Sequence, residues 1–394
     1  MSFELPLGYR YSSVYAGIRK VNKDDLALIV SDEAASAAAV FTQNLVAAAP
    51  VVISRANLKA SRGKVKALLI NAGNANCATR TGMRVAETTV KAAAKFAKCS
   101  ATEVLPSSTG VIGVELDPKK ITGALPDLFA GLKAERFEDV ASAIMTTDLV
   151  MKTAGETVAL KKGAVRIVGM TKGSGMIQPN MATTLGYVMC DAAIAAPALK
   201  QILAKATELS YNRLTVDGDT STNDTVVLLA NGASKVKPSG AELEQVAEAI
   251  GRVMKSLASQ IARDGEGASK LVRVLVSGAK NSADAVRIGR AIANSPLVKT
   301  AVAGSDPNWG RIICAAGYSG AKFDPAKVDI LLQGTRVCKS GLAANYDEDK
   351  LKKKLDEKDV TIDLRIAGNG KGNAEFWTCD FTEGYIRING SYRT

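Results

Sequence analysis

The 394-residue sequence predicts a mixed α/β (α+β) fold with more than one domain. Apolar residues alternate in some segments and recur at helical spacing in others, so strands and helices follow one another along the chain. The length exceeds the size at which a single hydrophobic core usually stops growing. Beyond about residue 280 the pattern changes to short strands and glycine-rich turns. We therefore expect a main domain over about 1–280 and a smaller carboxy-terminal α/β domain over about 281–394.

The individual elements follow from periodicity and from the residues that bound each segment. Helical spacing predicts helices over 84–97, 135–148, 196–214, 240–265 and 282–295. Proline stands near the first turn of the third helix, and glycine closes the fourth. Alternation and β-branched residues predict strands over 64–73, 183–194, 224–232, 271–279 and 328–337. The stretch VTIDLRIAGNGKGNAEFWTCDF, 360–381, predicts two strands joined as a hairpin by its Gly/Asn turn.

Composition disfavours several classes of function. The net charge is +12, but the basic run KLKKKLDEKD at 350–359 mixes both signs, and aromatic residues make up only 5% of the chain. This pattern favours a solvated helix face over a nucleic-acid surface, so we expect no nucleic-acid partner. We find no secretory signal and no 18-residue uncharged apolar window, which predicts a cytoplasmic protein without a membrane span.

The cysteines and the missing histidine restrict the chemistry further. Six cysteines occur without a CxxC pair, which favours reduced thiols and predicts no metal site; they are Cys77, Cys99, Cys190, Cys314, Cys338 and Cys379. The sequence contains no histidine. Serine–histidine and cysteine–histidine dyads are therefore excluded. The base of any enzyme here must be a carboxylate, a lysine, a tyrosine or an amino terminus.

The stretch GSGMIQPNMATT, 173–184, combines a sharply bending loop with two threonines at the mouth of a strand. A threonine hydroxyl becomes a good nucleophile beside a base, and its own α-amine is such a base once the chain is cut before it. Pro179 restricts Gln178 to extended conformations, and the two glycines permit unusual dihedrals. The layout permits a cut before Thr183, but spacing alone favours ordinary threonines that begin a strand.

Three other segments carry candidate chemistry beside a plainer interpretation. SSTGVIG, 107–113, predicts a turn of small residues whose N–H groups are suited to an oxyanion hole. DGDTSTNDT, 217–225, has the composition of a cation-binding loop but lacks the glutamate of an EF-hand, which favours a capping turn. DGEGASK, 264–270, places Glu266 between two glycines, where it is suited to a cationic substrate group or is an exposed loop carboxylate.

Taken together, these segments resemble the glutamate N-acetyltransferase or ornithine acetyltransferase family of arginine biosynthesis. The resemblance covers nearly the whole chain and keeps the order of the segments. They are FTQN (41–44), INAGNANCATRTG (70–82), SSTGVIG, IMTTD (144–148), KGSGMIQPNMAT (172–183), YNRLTVDGDTSTNDT (211–225), DGEGASKL (264–271), NSPLVKTAVAGSDPNWGRI (294–312) and the terminal INGSYRT.

The resemblance implies that the precursor cuts itself between Ala182 and Thr183. The products are an α chain of residues 1–182 and a β chain of residues 183–394, which stay together as an α2β2 heterotetramer. By the same resemblance, Thr183 is the nucleophile and its amine is the base. Thr109 and Gly110 form the oxyanion hole. The implied substrate pocket is lined by Thr147, Lys172, Thr183, Glu266, Asn389 and Thr394.

The implied reaction moves the acetyl group of N2-acetyl-L-ornithine to L-glutamate through an acetyl ester on Thr183. It needs no cofactor, although some family members also take the acetyl group from acetyl-CoA. The implied fold is N-terminal-nucleophile-like, with stacked β-sheets flanked by helices. Two alternatives are a self-cleaving aminopeptidase or amidase of related fold, which releases the acyl group to water, and a binding protein that never cuts.

Overall fold

The structure, a computed structural model, describes residues 3–178 and 184–391 and divides them into two compact units. Unit 1 holds the described residues up to Asn212 together with Thr220–Leu257. Unit 2 holds Arg213–Asp219 and the described residues from Ala258 onward. The carboxy-terminal unit thus begins earlier in the chain than the predicted boundary near residue 280.

Unit 1 is built on one mixed sheet. Its strands are β1 (Tyr9–Val14), β2 (Leu26–Phe41), β3 (Lys64–Asn74), β4 (Val104–Val111), β5 (Lys152–Leu160), β6 (Gly163–Lys172), β7 (Leu185–Cys190) and β8 (Thr225–Ala230). They lie in the order β4-β3-β2-β8-β7-β6-β5, and β1 pairs with β2. The helices are α1 (Ala49–Ala60), α2 (Gly82–Ala97), α3 (Pro118–Ala130), α4 (Phe137–Ala143), α5 (Ala196–Glu208) and α6 (Ala241–Arg263), the last of which crosses into unit 2 at Ala258.

The long strand β2 divides this sheet into two halves that share one core. Its first residues pair with β1 and β3, its last residues pair with β8, and its pairing with β3 is irregular between Val30 and Ala35. Apolar residues from β1–β4 and from β6–β8 belong to one buried cluster. Among the described residues, the fully buried helical members of that cluster all come from the seven-residue α4. So short a helix cannot cover both halves, which therefore stack on each other.

Helices cover the outer faces of the stacked halves. Leucines and valines on the outer face of β2 and β3 pack with α2 and α3 in a second cluster. On the other half, Val253 and Leu257 of α6 lie against Gly169 of β6. An added Cβ at Gly169 would lie 2.7 Å from a methyl carbon of Leu257, so glycine permits this close approach. The layered α/β architecture with flanking helices is confirmed.

Unit 2 is built on a six-stranded sheet. Its strands are β9 (Leu271–Ala279), β10 (Val328–Leu332), β11 (Thr335–Lys339), β12 (Leu342–Ala343), β13 (Asp359–Ile366) and β14 (Gly372–Cys379), in the order β12-β11-β10-β13-β9-β14. Its helices are α7 (Ser282–Asn294), α8 (Pro296–Ala303), α9 (Trp309–Gly317), α10 (Glu348–Leu355) and α11 (Glu383–Ser391). Because β9 belongs to this sheet, unit 2 begins before β9 and not near residue 280.

The predicted hairpin over 360–381 is wrong. β13 and β14 do not pair with each other, because β9 lies between them, parallel to β13 and antiparallel to β14. Their connection crosses the end of β9 at very close range. A Cβ at Gly278 would lie 2.0 Å from the Ile366 carbonyl oxygen, and one at Gly370 would lie 2.3 Å from the Gly278 carbonyl oxygen. The glycines of this segment therefore permit a crossover and not a tight turn.

All five predicted helices form, and two of them are much shorter than predicted. The segment 135–148 is helical only over Phe137–Ala143, and the segment 196–214 only over Ala196–Glu208. The first stops because the Asp148 carboxylate binds the backbone N–H of Thr146 and turns the chain away. Within the described residues, no helix is both long and apolar enough to cross a membrane.

Candidate active site

Three residues of the predicted site lie outside the described residues. They are Ala182 and Thr183, which flank the predicted cleavage bond, and Thr394. Around this bond, the structure describes the chain up to Gln178 and again from Thr184. Thr184 and the elements that contact it form the described part of the site.

The predicted oxyanion residues lie on a strand and not in a turn. Thr109 and Gly110 belong to β4, where they pair in parallel with Ala72 and Gly73 of β3. The prediction of a turn over 107–113 is wrong for this part of the segment. Gly110 has a φ of +129°, and a Cβ there would lie 2.4 Å from the carbonyl carbon of Gly73. Only glycine fits this close contact and readily adopts this φ.

The segment 223–225 joins β4, which carries the predicted oxyanion residues, to Thr184, which follows the predicted nucleophile. The side-chain amide of Asn223 donates to the backbone carbonyls of Ser108, 2.9 Å away, and of Ala75, 2.7 Å away. Two residues later, the backbone N–H of Thr225 donates to the Thr184 carbonyl at 2.8 Å. A short, buried segment therefore connects Thr184 to the strand that carries Thr109.

Lys172 ends β6 beside Thr184. It pairs with Leu185 across the β6–β7 ladder, and its carbonyl accepts a hydrogen bond from the Thr184 hydroxyl. Its ammonium donates to the hydroxyl of Thr146 at 3.4 Å. Thr146 is followed directly by Thr147, the predicted pocket residue, which is half-buried. Lys172 and the Thr146–Thr147 segment are thus brought together with Thr184 in unit 1.

Asp148 holds this part of the site in place. Its buried carboxylate accepts from the backbone N–H of Thr146 at 2.9 Å, from the backbone N–H of Gly173 at 2.7 Å and from the Lys152 ammonium at 2.6 Å. The side chains of Asp148 and Lys152 are both 0% exposed. Burial, the largest influence, raises the pKa of Asp148, but Lys152, Lys172 and these hydrogen bonds outweigh it, so the net shift is downward. The carboxylate is charged at neutral pH.

Two further predicted residues come together in unit 2. Glu266 lies in the loop after α6, is 8% exposed, and accepts a hydrogen bond of 2.9 Å from the side-chain amide of Asn389 on α11. Gly267 has a φ of +70°, and a Cβ there would lie 2.2 Å from the backbone nitrogen of Tyr385. The loop therefore lies directly against α11, and Glu266 is not an exposed loop carboxylate.

Sequence reasoning missed three charged residues that the structure places at the site. Asp148 and Lys152 form the buried ion pair, and Asp224 is buried immediately before β8. Asp148 and Asp224 lie within segments that carry the family resemblance, IMTTD and STNDT. A charged residue directly beside an apolar strand was the available signal, because lysine and aspartate are almost never fully buried unless they are paired.

Comparison with known proteins shows the family of the chain. A family model described as the ArgJ family matches residues 10–394. The arginine biosynthesis bifunctional protein ArgJ of Chlorobaculum tepidum is 46% identical over 391 residues, which cover 99% of this chain and 96% of that protein.

Two solved structures are also similar. The arginine biosynthesis bifunctional protein ArgJ from Bacillus halodurans is 40% identical and covers 51% of this chain and 96% of its own, with a TM-score of 0.49. The ornithine acetyltransferase from Mycobacterium tuberculosis, solved in complex with ornithine, is 32% identical and covers 45% of this chain and 94% of its own, with a TM-score of 0.41. Because the family model matches nearly the whole chain, the chain belongs to the ArgJ family of arginine biosynthesis.

Proposed function

We propose that this protein moves the acetyl group of N2-acetyl-L-ornithine to L-glutamate through an acetyl ester on Thr183, after cutting itself between Ala182 and Thr183. One observation supports this most strongly. The buried segment Asn223–Thr225 connects the strand that carries Thr109 to Thr184, the residue next to the nucleophile. Acyl transfer requires a nucleophile and oxyanion donors around one carbonyl carbon, and this connection supports their placement together.

In the first half of the reaction, the Thr183 hydroxyl oxygen attacks the acetyl carbonyl carbon. The α-amine of Thr183 takes the hydroxyl proton, and the Thr109–Gly110 segment stabilises the tetrahedral oxyanion. The carbon–nitrogen bond to ornithine then breaks, and the amine returns its proton to the leaving nitrogen. The products are free ornithine and acetyl-Thr183.

In the second half, the neutral α-amine of glutamate attacks the ester carbon. The new carbon–nitrogen bond forms as the ester carbon–oxygen bond breaks, and the α-amine of Thr183 passes the proton from the incoming nitrogen to the threonine oxygen. The free hydroxyl is regenerated and N-acetylglutamate leaves. Donor and acceptor thus use the site in turn, which is a ping-pong sequence.

Charge complementarity supports the choice of amino-acid substrates. Lys172 carries a positive charge beside Thr184 and is suited to the substrate carboxylate. Glu266 is suited to the side-chain ammonium of ornithine, and its hydrogen bond from Asn389 orients the carboxylate. Both contacts are charge-assisted hydrogen bonds, which are among the stronger ones in proteins.

The function is tested by incubating the purified protein with N2-acetylornithine, with and without glutamate. We expect N-acetylglutamate and ornithine in equal amounts when both substrates are present, and at most one ornithine per protein without glutamate. Steady release of acetate without glutamate would instead identify the self-cleaving amidase. An uncut chain that binds substrate and forms no product would identify the binding protein.

Replacing Glu266 with glutamine is expected to weaken the use of N2-acetylornithine. The amide keeps the size of the side chain and its bond to Asn389 but loses the charge, so kcat/KM should fall roughly ten- to a hundredfold, from the worth of a hydrogen bond to a charged group. Use of a thioester donor, which lacks the side-chain ammonium of ornithine, should fall less. E375Q, which alters a surface ion pair of the same unit, is the matched control. Equal losses with both donors would contradict the assignment.

We also propose an assembly, a localisation and a second acetyl donor for this protein. The two chains are proposed to remain together as an α2β2 assembly in the cytoplasm, acting on small molecules without a bound cofactor. Acetyl-CoA is proposed as a further acetyl donor, which the bifunctional name of the relative supports. Acetyl-CoA-dependent formation of N-acetylglutamate measures this activity directly.

A further inference from the structure

Arg19 lies in the connection between β1 and β2, where a buried carboxylate fixes its backbone. The side chain of Asp25 is fully buried. Its carboxylate accepts from the backbone N–H groups of Ala16 at 2.7 Å, of Ile18 at 2.7 Å and of Arg19 at 2.8 Å. Hydrogen bonds from backbone N–H groups to a carboxylate are among the stronger ones in proteins. The Arg19 side chain therefore starts from a well-fixed point of the backbone.

The guanidinium of Arg19 bridges two segments of unit 1 that are distant in sequence. Its Nε atom donates to the carbonyl of Ala72 on β3. One of its terminal nitrogens donates to the carbonyl of Ala143, 3.0 Å away, and to the carbonyl of Met145. Ala143 is the last residue of α4, and the last carbonyls of a helix have no partner within the helix. The side chain thus joins the end of β3 to the chain that leaves α4.

The contact on β3 adjoins the predicted oxyanion residues. Ala72 and the following Gly73 pair with Thr109 and Gly110 of β4. The stem of Arg19 lies against Gly73, where an added Cβ would be 2.8 Å from the Arg19 Cγ atom. Glycine at this position permits the close approach. Arg19 is therefore anchored on the strand that pairs directly with the predicted oxyanion residues.

The contact beyond α4 adjoins the predicted substrate pocket. Met145 directly precedes Thr146, whose hydroxyl accepts from the Lys172 ammonium at 3.4 Å. Thr147, the predicted pocket residue, comes next in the chain. Arg19 therefore links β4, through β3, to the segment that carries the predicted pocket.

We propose that Arg19 is a positioning residue for acetyl transfer, because it fixes the predicted oxyanion residues on β4 relative to the pocket segment Thr146–Thr147. This inference rests on the proposed function. Arg19 acts through the backbone on both sides and not on the substrate itself. Its planar guanidinium presents N–H groups in a rigid fork, so one side chain holds two segments in one geometry. A misplacement of about 1 Å between groups that act on one substrate can lower a rate roughly a hundredfold.

The test compares two acetyl donors in Arg19→Lys and in the unsubstituted protein, with glutamate as acceptor. N2-acetylornithine is held by the pocket and by the oxyanion donors together, whereas the small ester p-nitrophenyl acetate needs only the nucleophile and the oxyanion donors. Lysine keeps the charge and most of the stem, but its ammonium is a point donor without the rigid fork. We expect kcat/KM per cut chain to fall roughly ten- to a hundredfold for N2-acetylornithine and to change little for the ester.

Arg136→Lys is the matched control. Arg136 also joins two segments of unit 1 through backbone carbonyls, those of Gly131 at 3.1 Å and Ser13 at 3.3 Å. Its replacement should leave the ratio of the two kcat/KM values unchanged. An unchanged ratio in Arg19→Lys would overturn this inference alone. A folded Arg19→Lys chain that stays uncut would also overturn it, because the role would then belong to cleavage. Failure of the unsubstituted protein to cut or to transfer would contradict the proposed function itself.

A second variant separates the guanidinium from the packing of its stem. Arg19→Met keeps most of the stem and has no donor, so the preference for N2-acetylornithine over the ester should fall at least as far as in Arg19→Lys. All rates are measured below the melting temperature of each variant, so that only folded chains are compared. A ratio in Arg19→Met equal to that of the unsubstituted protein would contradict the inference. Failure of both variants to fold would show a purely structural role and would overturn it as well.

Discussion

Replacing Thr183 with alanine is expected to leave one 41.2 kDa polypeptide without acetyl-transfer activity. Alanine has no hydroxyl, so it can neither attack the preceding carbonyl in the precursor nor carry the acetyl group afterwards. Loss of a catalytic nucleophile lowers kcat by roughly 10⁴- to 10⁶-fold in well-studied acyl-transfer enzymes. The measurements are intact mass under denaturing conditions and the rate of N-acetylglutamate formation.

The neighbouring threonine supplies the control for this prediction. The Thr184 hydroxyl donates to the Lys172 carbonyl and lies 3.1 Å from the Thr171 hydroxyl, so it is already engaged within the structure. Thr184→Ala should still be cut before residue 183 and should keep the acetyl ester. The assignment is wrong if Thr183→Ala is cut normally, or if the fragment from Thr184→Ala fails to begin at residue 183.

Replacing Asp148 with asparagine is expected to lower the free energy of unfolding by about 3–5 kcal/mol, the usual cost of breaking a buried ion pair from one side. The Lys152 ammonium, whose side chain is 0% exposed, would lose its carboxylate partner. The Thr146–Thr147 segment and Gly173 would lose the charge that holds them. Urea unfolding measures the loss, and acetyl transfer should decline with it because Lys172 lies between these segments.

Two comparisons separate this effect from a general loss of charge. Asp32→Asn removes an exposed carboxylate from its pair with Arg10 and should cost less than about 1 kcal/mol. Asp148→Asn combined with Lys152→Met removes both buried charges and should recover part of the stability. If Asp148→Asn and Asp32→Asn cost the same, Asp148 does not hold the site.

The buried pair of Asp148 and Lys152 also predicts how the free energy of unfolding depends on pH. Because the pKa of Asp148 in the folded protein lies below its unfolded value, the stabilisation is fully present above the unfolded pKa of about 3.9. It is lost as the pH falls through the folded value. The free energies of unfolding of Asp148→Asn and of the unsubstituted protein should therefore converge in strongly acidic solution.

Local patterns predicted the elements of this fold better than they predicted their pairing. The alternation over 271–279 coincides with β9, and helical spacing over 282–295 matches α7 within one residue. The hairpin over 360–381 failed because β9, far away in sequence, inserts between the two strands. Glycines that permit a tight turn also permit a close crossover, so the local sequence does not distinguish the two.

The candidate site was predictable as a set of segments and not as a network of charges. Resemblance to a family pointed to Thr109, Lys172 and Glu266, and the structure gives each of them defined contacts. The buried aspartates Asp148 and Asp224 were missed because burial depends on how distant strands pack. Periodicity reports which residues are apolar, but it does not report which charged residue is enclosed by a strand end and a loop.

Acetylation of Thr183 is the step on which the proposed function depends. The most direct measurement is the intact mass of the denatured protein after brief exposure to N2-acetylornithine without glutamate, combined with fragment sequencing. We expect two fragments, residues 1–182 and 183–394, with one acetyl group on the first residue of the second fragment and its loss when glutamate is added. Two fragments without the acetyl group, or a single uncut chain, would contradict it.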